Sequence, residues 1–69
     1  MNDRIAAAYA EFEKADHDWH AALVAAFGKE AGDARYEPRG KGDNGSALEA
    51  IWMARVGAWQ RLHDAKKAA

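Results

Sequence analysis

Two stretches of the sequence repeat large apolar residues at the spacing of an α-helix, and a glycine-rich segment separates them. The first, over residues 3–27, carries Ile5, Tyr9, Phe12, Trp19, Leu23 and Phe27. The second, over residues 46–66, carries Leu48, Ile51, Trp52, Trp59 and Leu62. Steps of three, four and seven residues are typical of an amphipathic helix. The pattern predicts an all-α fold, a two-helix antiparallel hairpin with a long Gly-rich loop over residues 28–45.

The ends of both helices carry recognisable signals. Asn2 or Asp3 can cap the first helix, and Gly28 directly after its last apolar residue is a typical stop. Ser46 followed three positions later by Glu49 fits the capping box, in which each side chain accepts a hydrogen bond from a backbone amide. The sequence therefore predicts a single domain with helices over residues 3–27 and 46–66.

The loop is longer than a helical hairpin requires. Its 18 residues include five of the six glycines and the only proline, and a long connection in a compact protein is usually functional or disordered. The basic and aromatic side chains within it suit a protein interface. These candidate partner-binding residues are Arg35, Tyr36, Arg39 and Lys41. An alternative is a small nucleic-acid-associated protein that uses this basic loop, which interleaved acidic residues make less favourable.

The chain has 69 residues and no cysteine, so disulfides and thiolate zinc sites are excluded as sources of stability. Chains of this size bury a small share of their surface, and self-association is a common remedy. Gly57 within the second helix suggests a close approach of another backbone. We therefore expect a homodimeric four-helix bundle. The residues expected to pack in the core or at the dimer interface are Phe12, Trp19, Leu23, Trp52, Ala54, Gly57 and Trp59.

Two opposite charges interrupt the apolar stripes. Asp16 in the first helix and Arg55 in the second fall about one turn apart when the chain folds back at the loop. A carboxylate and a guanidinium at this separation can form a buried ion pair that defines the register. The net charge of −1 argues against a general polyanion binder.

Neither catalysis nor a cofactor is expected from the remaining polar residues. Glu13, His17 and His20 share one face of the first helix, which leaves a histidine-face metal-binding bundle as an alternative. No fourth ligand is evident, so a solvated polar face is the preferred interpretation. Phosphate-binding glycine patterns and nucleophile motifs are missing from the sequence, and we expect a protein that is not an enzyme.

Three stretches together resemble a known group of proteins: WHAALVAAFG, GDARYEPRGKG and GSALEAIWMAR. They are similar to small alanine-rich accessory proteins of transposable tailed phages, among them the phage anti-quorum-sensing type, a helical-hairpin dimer that inactivates a host transcriptional regulator. The resemblance implies an inhibitor of a host protein that works by occupying its surface. No apolar run approaches the roughly 20 residues that span a bilayer, so we expect a location in the cytoplasm of the host cell.

Overall fold

A computed structural model describes residues 3–68 of the chain. The elements are α1 (Asp3–Phe27), the single-turn α2 (Ala31–Ala34) and α3 (Ala47–Ala68). Two 3₁₀ turns, Gly28–Glu30 and Pro38–Lys41, flank α2. Strands are missing from these residues, so the prediction of an all-α chain with two long helices is confirmed.

The predicted helix ends are found with small differences. Gly28 has a φ of 58°, a left-handed conformation that glycine adopts without strain, and α1 stops immediately before it. The Ser46 hydroxyl accepts a hydrogen bond from the Glu49 backbone amide at 3.1 Å. The Glu49 carboxylate in turn accepts from the Gly45 amide at 2.9 Å, one residue earlier than in the usual capping box. The second helix also continues to Ala68, and the predicted cap at Asn2 lies outside the described residues.

The helices α1 and α3 pack against each other in antiparallel directions around two small apolar clusters. The larger cluster consists of Trp19, Leu23, Ala31 and Ala34, with Phe27, Leu48, Ile51 and Trp52 packed around it. The smaller one, nearer the chain ends, consists of Ala8, Leu62 and Ala65, with Ile5 and Phe12 beside them. Leu23 is fully buried, as expected for the centre of the α1 stripe.

The segment between the long helices, residues 28–45, is part of the fold. Ala31 and Ala34 are 5% and 0% exposed, and both belong to the larger core cluster. The expectation of a connection that the hairpin does not need is therefore wrong. Two paired helices alone would leave one side of Trp19 and Leu23 exposed to water. The connecting segment covers that side.

Three residues expected in the core or at the dimer interface lie outside the two apolar clusters. Trp59 is 48% exposed and stacks on the His63 ring, with centroids 5.1 Å apart. Ala54 is exposed. Among residues 3–68, a Cβ added to Gly57 would meet the Arg61 side chain, at 3.2 Å, and no backbone outside its own helix. Packing within the described chain thus does not explain these three positions.

Candidate protein-binding site

The ion pair predicted between the two long helices is present. Arg55 Nε in α3 donates to Asp16 Oδ1 in α1 at 2.7 Å. Both side chains are partly covered, with 25% and 31% of their surface exposed. This contact defines the register of the two helices along their common axis, because each residue lies in the middle of its apolar stripe.

A second arginine, from the connecting segment, joins the same carboxylate. Arg35 NH2 donates to Asp16 Oδ1 at 2.6 Å. The guanidinium carbons of Arg35 and Arg55 each lie 4.9 Å from the Trp19 ring centroid. Two cations thus share one carboxylate oxygen and one indole, an arrangement that adds cation–π attraction to the charged hydrogen bonds.

The cluster changes the acidity of its only carboxyl group. Partial burial raises the pKa of Asp16, but the hydrogen bonds from Arg55 and Arg35 and their positive charges lower it by more. The pKa of Asp16 therefore lies below its usual value, and the carboxylate is charged at neutral pH.

Trp19 also binds the C-terminal half of the connecting segment. Its buried indole Nε1 donates to the carbonyl oxygen of Gly40 at 2.9 Å. Gly40 is itself buried, and a Cβ at this position would lie 2.1 Å from the carbonyl oxygen of Ala34. Only glycine fits there without a backbone shift. We call the set Asp16, Trp19, Arg35, Gly40 and Arg55 the clamp.

Arg39 and Lys41, two further basic residues of the segment, also have contacts within the chain. Arg39 Nε donates to Glu37 at 2.7 Å and its NH2 to Glu30 at 3.3 Å, while its guanidinium lies 5.1 Å from the Phe27 ring centroid. Lys41 Nζ lies 5.3 Å from the Trp52 ring centroid. Three of the four basic residues of the segment, Arg35, Arg39 and Lys41, thus have contacts within the chain, and the alternative of a nucleic-acid surface stays a prediction.

Tyr36 behaves differently from its neighbours. It follows Arg35 directly, yet it is 86% exposed, the highest value among the exposed large apolar residues. Its backbone amide is held by the carbonyl of Asp33 at 3.1 Å. The four candidate contact residues therefore differ in their surroundings. Arg35 contacts the two long helices, and Arg39 and Lys41 have partly exposed contacts within the chain. Tyr36 points into solvent.

The candidate metal ligands lie along the outside of α1. Glu13, His17 and His20 are exposed and line a shallow groove with Tyr9 and Arg35. Within residues 3–68, no three acidic or histidine side chains are placed so that they could hold a metal ion together.

The contact between Arg35 and Asp16 was missed at the sequence level. Arg35 falls in a glycine-rich segment without helical period, so the pattern did not relate it to α1. The available signal was the position of Asp16, the only acid in the apolar stripes, whose carboxylate can accept from more than one arginine.

Comparisons with known proteins found no matching family model, no similar curated protein and no similar solved structure. None of the helices between residues 3 and 68 combines the length and the apolar character needed to cross a membrane.

Proposed function

We propose that this protein binds another protein through its connecting segment and does not act as a catalyst. The observation that carries the proposal is the position of Tyr36, almost fully exposed on a segment that the clamp holds in place. An exposed tyrosine on a mobile loop would lose entropy on binding. A tyrosine on a fixed backbone avoids most of that loss, and tyrosine is a frequent interface anchor.

Arg39 and Glu37 extend this surface on one side of Tyr36. Their side chains are 39% and 47% exposed and bind each other, so they offer a partner both a donor and an acceptor without rearrangement. A contact built from a central aromatic residue and a polar rim is the usual composition of a protein interface.

The proposal includes two further elements. The protein assembles as a homodimeric four-helix bundle, which would cover the large apolar side chains left exposed on the long helices. It is phage-encoded and modulates a host protein, for example a transcriptional quorum-sensing regulator. The support for this second element is the resemblance of the three stretches described above.

The experiment is a pull-down from host lysate with tagged protein, followed by titration of the captured protein. Tyr36→Ala should weaken binding roughly thirtyfold or more, as truncation of a central anchor commonly does. The matched control is Met53→Ala, which removes a large side chain that is 54% exposed on α3 and belongs to neither proposed contact surface. Equal binding by wild type and Tyr36→Ala, with unchanged circular dichroism, would place the contact surface elsewhere.

A further inference from the structure

The connecting segment covers only part of the seam between α1 and α3. It lies over Trp19 and reaches as far as Asp16 and Arg55 through Arg35. Beyond this level, towards the chain ends, four apolar side chains border the uncovered seam. They are Tyr9, Phe12, Val56 and Trp59, and we call them the aromatic patch.

Three of the four patch residues are exposed to solvent. Tyr9 and Trp59 are 51% and 48% exposed and Val56 is 38% exposed. The guanidinium of Arg55 lies 5.1 Å from the Phe12 ring centroid, and Trp59 is one helical turn further along α3. Residues three and four apart share a helix face, so the α1 and α3 halves of the patch are neighbours across the seam.

Charges near the patch differ from those on the opposite side of the hairpin. On the opposite side, Glu11 accepts from Arg61 Nε at 2.6 Å and Lys14 binds Asp18 at 2.9 Å. Glu13 lies one turn from Tyr9 on α1, and its side chain forms no ion pair within the described part of the chain. Lys66 lies two turns from Trp59 on α3 and is likewise without an ion pair among residues 3–68. The patch thus has an unpaired acid at its α1 edge and an unpaired base at its α3 edge.

We propose that the aromatic patch is the surface on which a second copy of this chain docks, with α1 of each protomer against α3 of the other. The inference rests on the proposed self-association and specifies its face. Net charge favours this arrangement, since α1 has five acidic and two basic residues and α3 has two acidic and four basic ones. Stacking α1 on α1 would instead bring like charges together.

A two-fold axis parallel to the helices gives this pairing and also brings Glu13 towards the partner's Lys66. The contacts of Asp16 with Arg55 and of Glu11 with Arg61 set the register. In that register Glu13 and Lys66 are offset along the helix axis by about 11 Å, at a rise of 1.5 Å per residue. Side chains on a helix tilt towards its N-terminus. In antiparallel helices these two side chains therefore lean towards each other and shorten the gap.

The chemistry of this face suits a dimer, since an apolar centre with a polar rim is the usual composition of an interface. The aromatic patch would form the apolar centre, and Glu13 and Lys66 its polar edge.

The test uses charge reversal and sedimentation equilibrium at low salt. Glu13→Lys and Lys66→Glu should each weaken the dimer about tenfold, because two symmetry-related pairs change from attractive to repulsive. The double variant restores opposite charges and should dimerise nearly as well as wild type. A mixture of the two single variants should form a heterodimer, because each supplies the charge that the other lacks.

The dimer affinities of further variants distinguish the aromatic patch from the other faces of the hairpin. Trp59→Ala should weaken the dimer roughly thirtyfold or more if Trp59 is a central anchor. Lys14→Glu and Ala54→Gln, on the other side of the hairpin, should leave association unchanged. Tyr36→Ala should also leave it unchanged, so loss of partner binding and loss of the dimer are distinguishable.

Three results would overturn the proposal. One is a folded monomer for the wild type up to high micromolar concentration. Another is a dimer that Ala54→Gln disrupts and Trp59→Ala does not, which would assign association to the alanine-lined side. The third is two charge reversals whose effects add in the double variant, with no heterodimer in the mixture, since the edge charges would then not face each other.

Discussion

Trp19 in α1 donates its indole N–H to the carbonyl oxygen of Gly40, which lies 21 residues further along the chain. The bond is buried, and it fastens the end of the connecting segment to the middle of the first helix. Because the segment has no sheet or long helix of its own, such individual contacts determine whether it is ordered.

We expect Trp19→Phe to leave the helices intact and to lower the free energy of unfolding by about 1–3 kcal/mol, since the Gly40 carbonyl loses its donor in a buried place. Thermal denaturation followed by circular dichroism measures this, with Trp52→Phe as the control, since the Trp52 indole forms no hydrogen bond among residues 3–68. An equal effect of the two substitutions would contradict a special role for the hydrogen bond.

Gly40→Ala should displace the segment, because the new Cβ would lie 2.1 Å from the carbonyl oxygen of Ala34. The expected cost is about 1–3 kcal/mol, the range for overpacking in a close-packed interior. Gly32→Ala is the matched control, as a Cβ there meets nothing within 4 Å. That change lies in a short helix and should be neutral or slightly stabilising. Similar stabilities for the two variants would show that the segment adapts freely.

Asp16→Ala and Arg55→Ala should each lower the free energy of unfolding, by about 1–2 kcal/mol for partly exposed ionic partners. The double variant should cost less than the sum, with a coupling of about 0.5 kcal/mol or more. Chemical denaturation of the four proteins in the cycle gives this value. Strict additivity would mean that the 2.7 Å contact contributes no coupling in solution.

Acid should weaken the clamp through Asp16. Its pKa is lower in the folded chain than the ordinary carboxyl value of about 3.9, so the charged form favours folding. This contribution is complete above the ordinary pKa and is lost as the pH falls through the lower pKa of the folded state. The difference in unfolding free energy between wild type and Asp16→Asn should be constant near pH 7 and shrink in acid. A difference that does not change down to pH 2 would contradict the assignment.

The apolar periodicity was sufficient to predict the two long helices, because their apolar stripes pack mainly against each other. The same reasoning located Asp16 opposite Arg55, since a charge inside an apolar stripe needs a partner at the same level. It did not distinguish a core position for Trp59 from one at a dimer interface, because spacing alone does not separate the centre of a stripe from its edge. At the edge of the α3 stripe, the Trp59 ring is about half exposed to solvent.

The connecting segment was beyond prediction for a different reason. Its order depends on contacts distant in sequence, such as Arg35 with Asp16 and Trp19 with Gly40, and no local repeat encodes them. Glycines that suggested flexibility have a steric role at Gly40, where the backbone passes close to Ala34. Composition therefore left open whether the segment is ordered, and tertiary contacts decide it.

The clamp draws its members from three parts of the chain: Asp16 from α1, Arg35 from the connecting segment and Arg55 from α3. The segment therefore has its full set of contacts only when both long helices are already paired, and it loses them together when the pair separates. Melting of the segment should thus coincide with melting of the helices, in one cooperative transition. A chain that is cut or partly misfolded would then present no contact surface for Tyr36 at all, so binding competence would itself report on an intact hairpin.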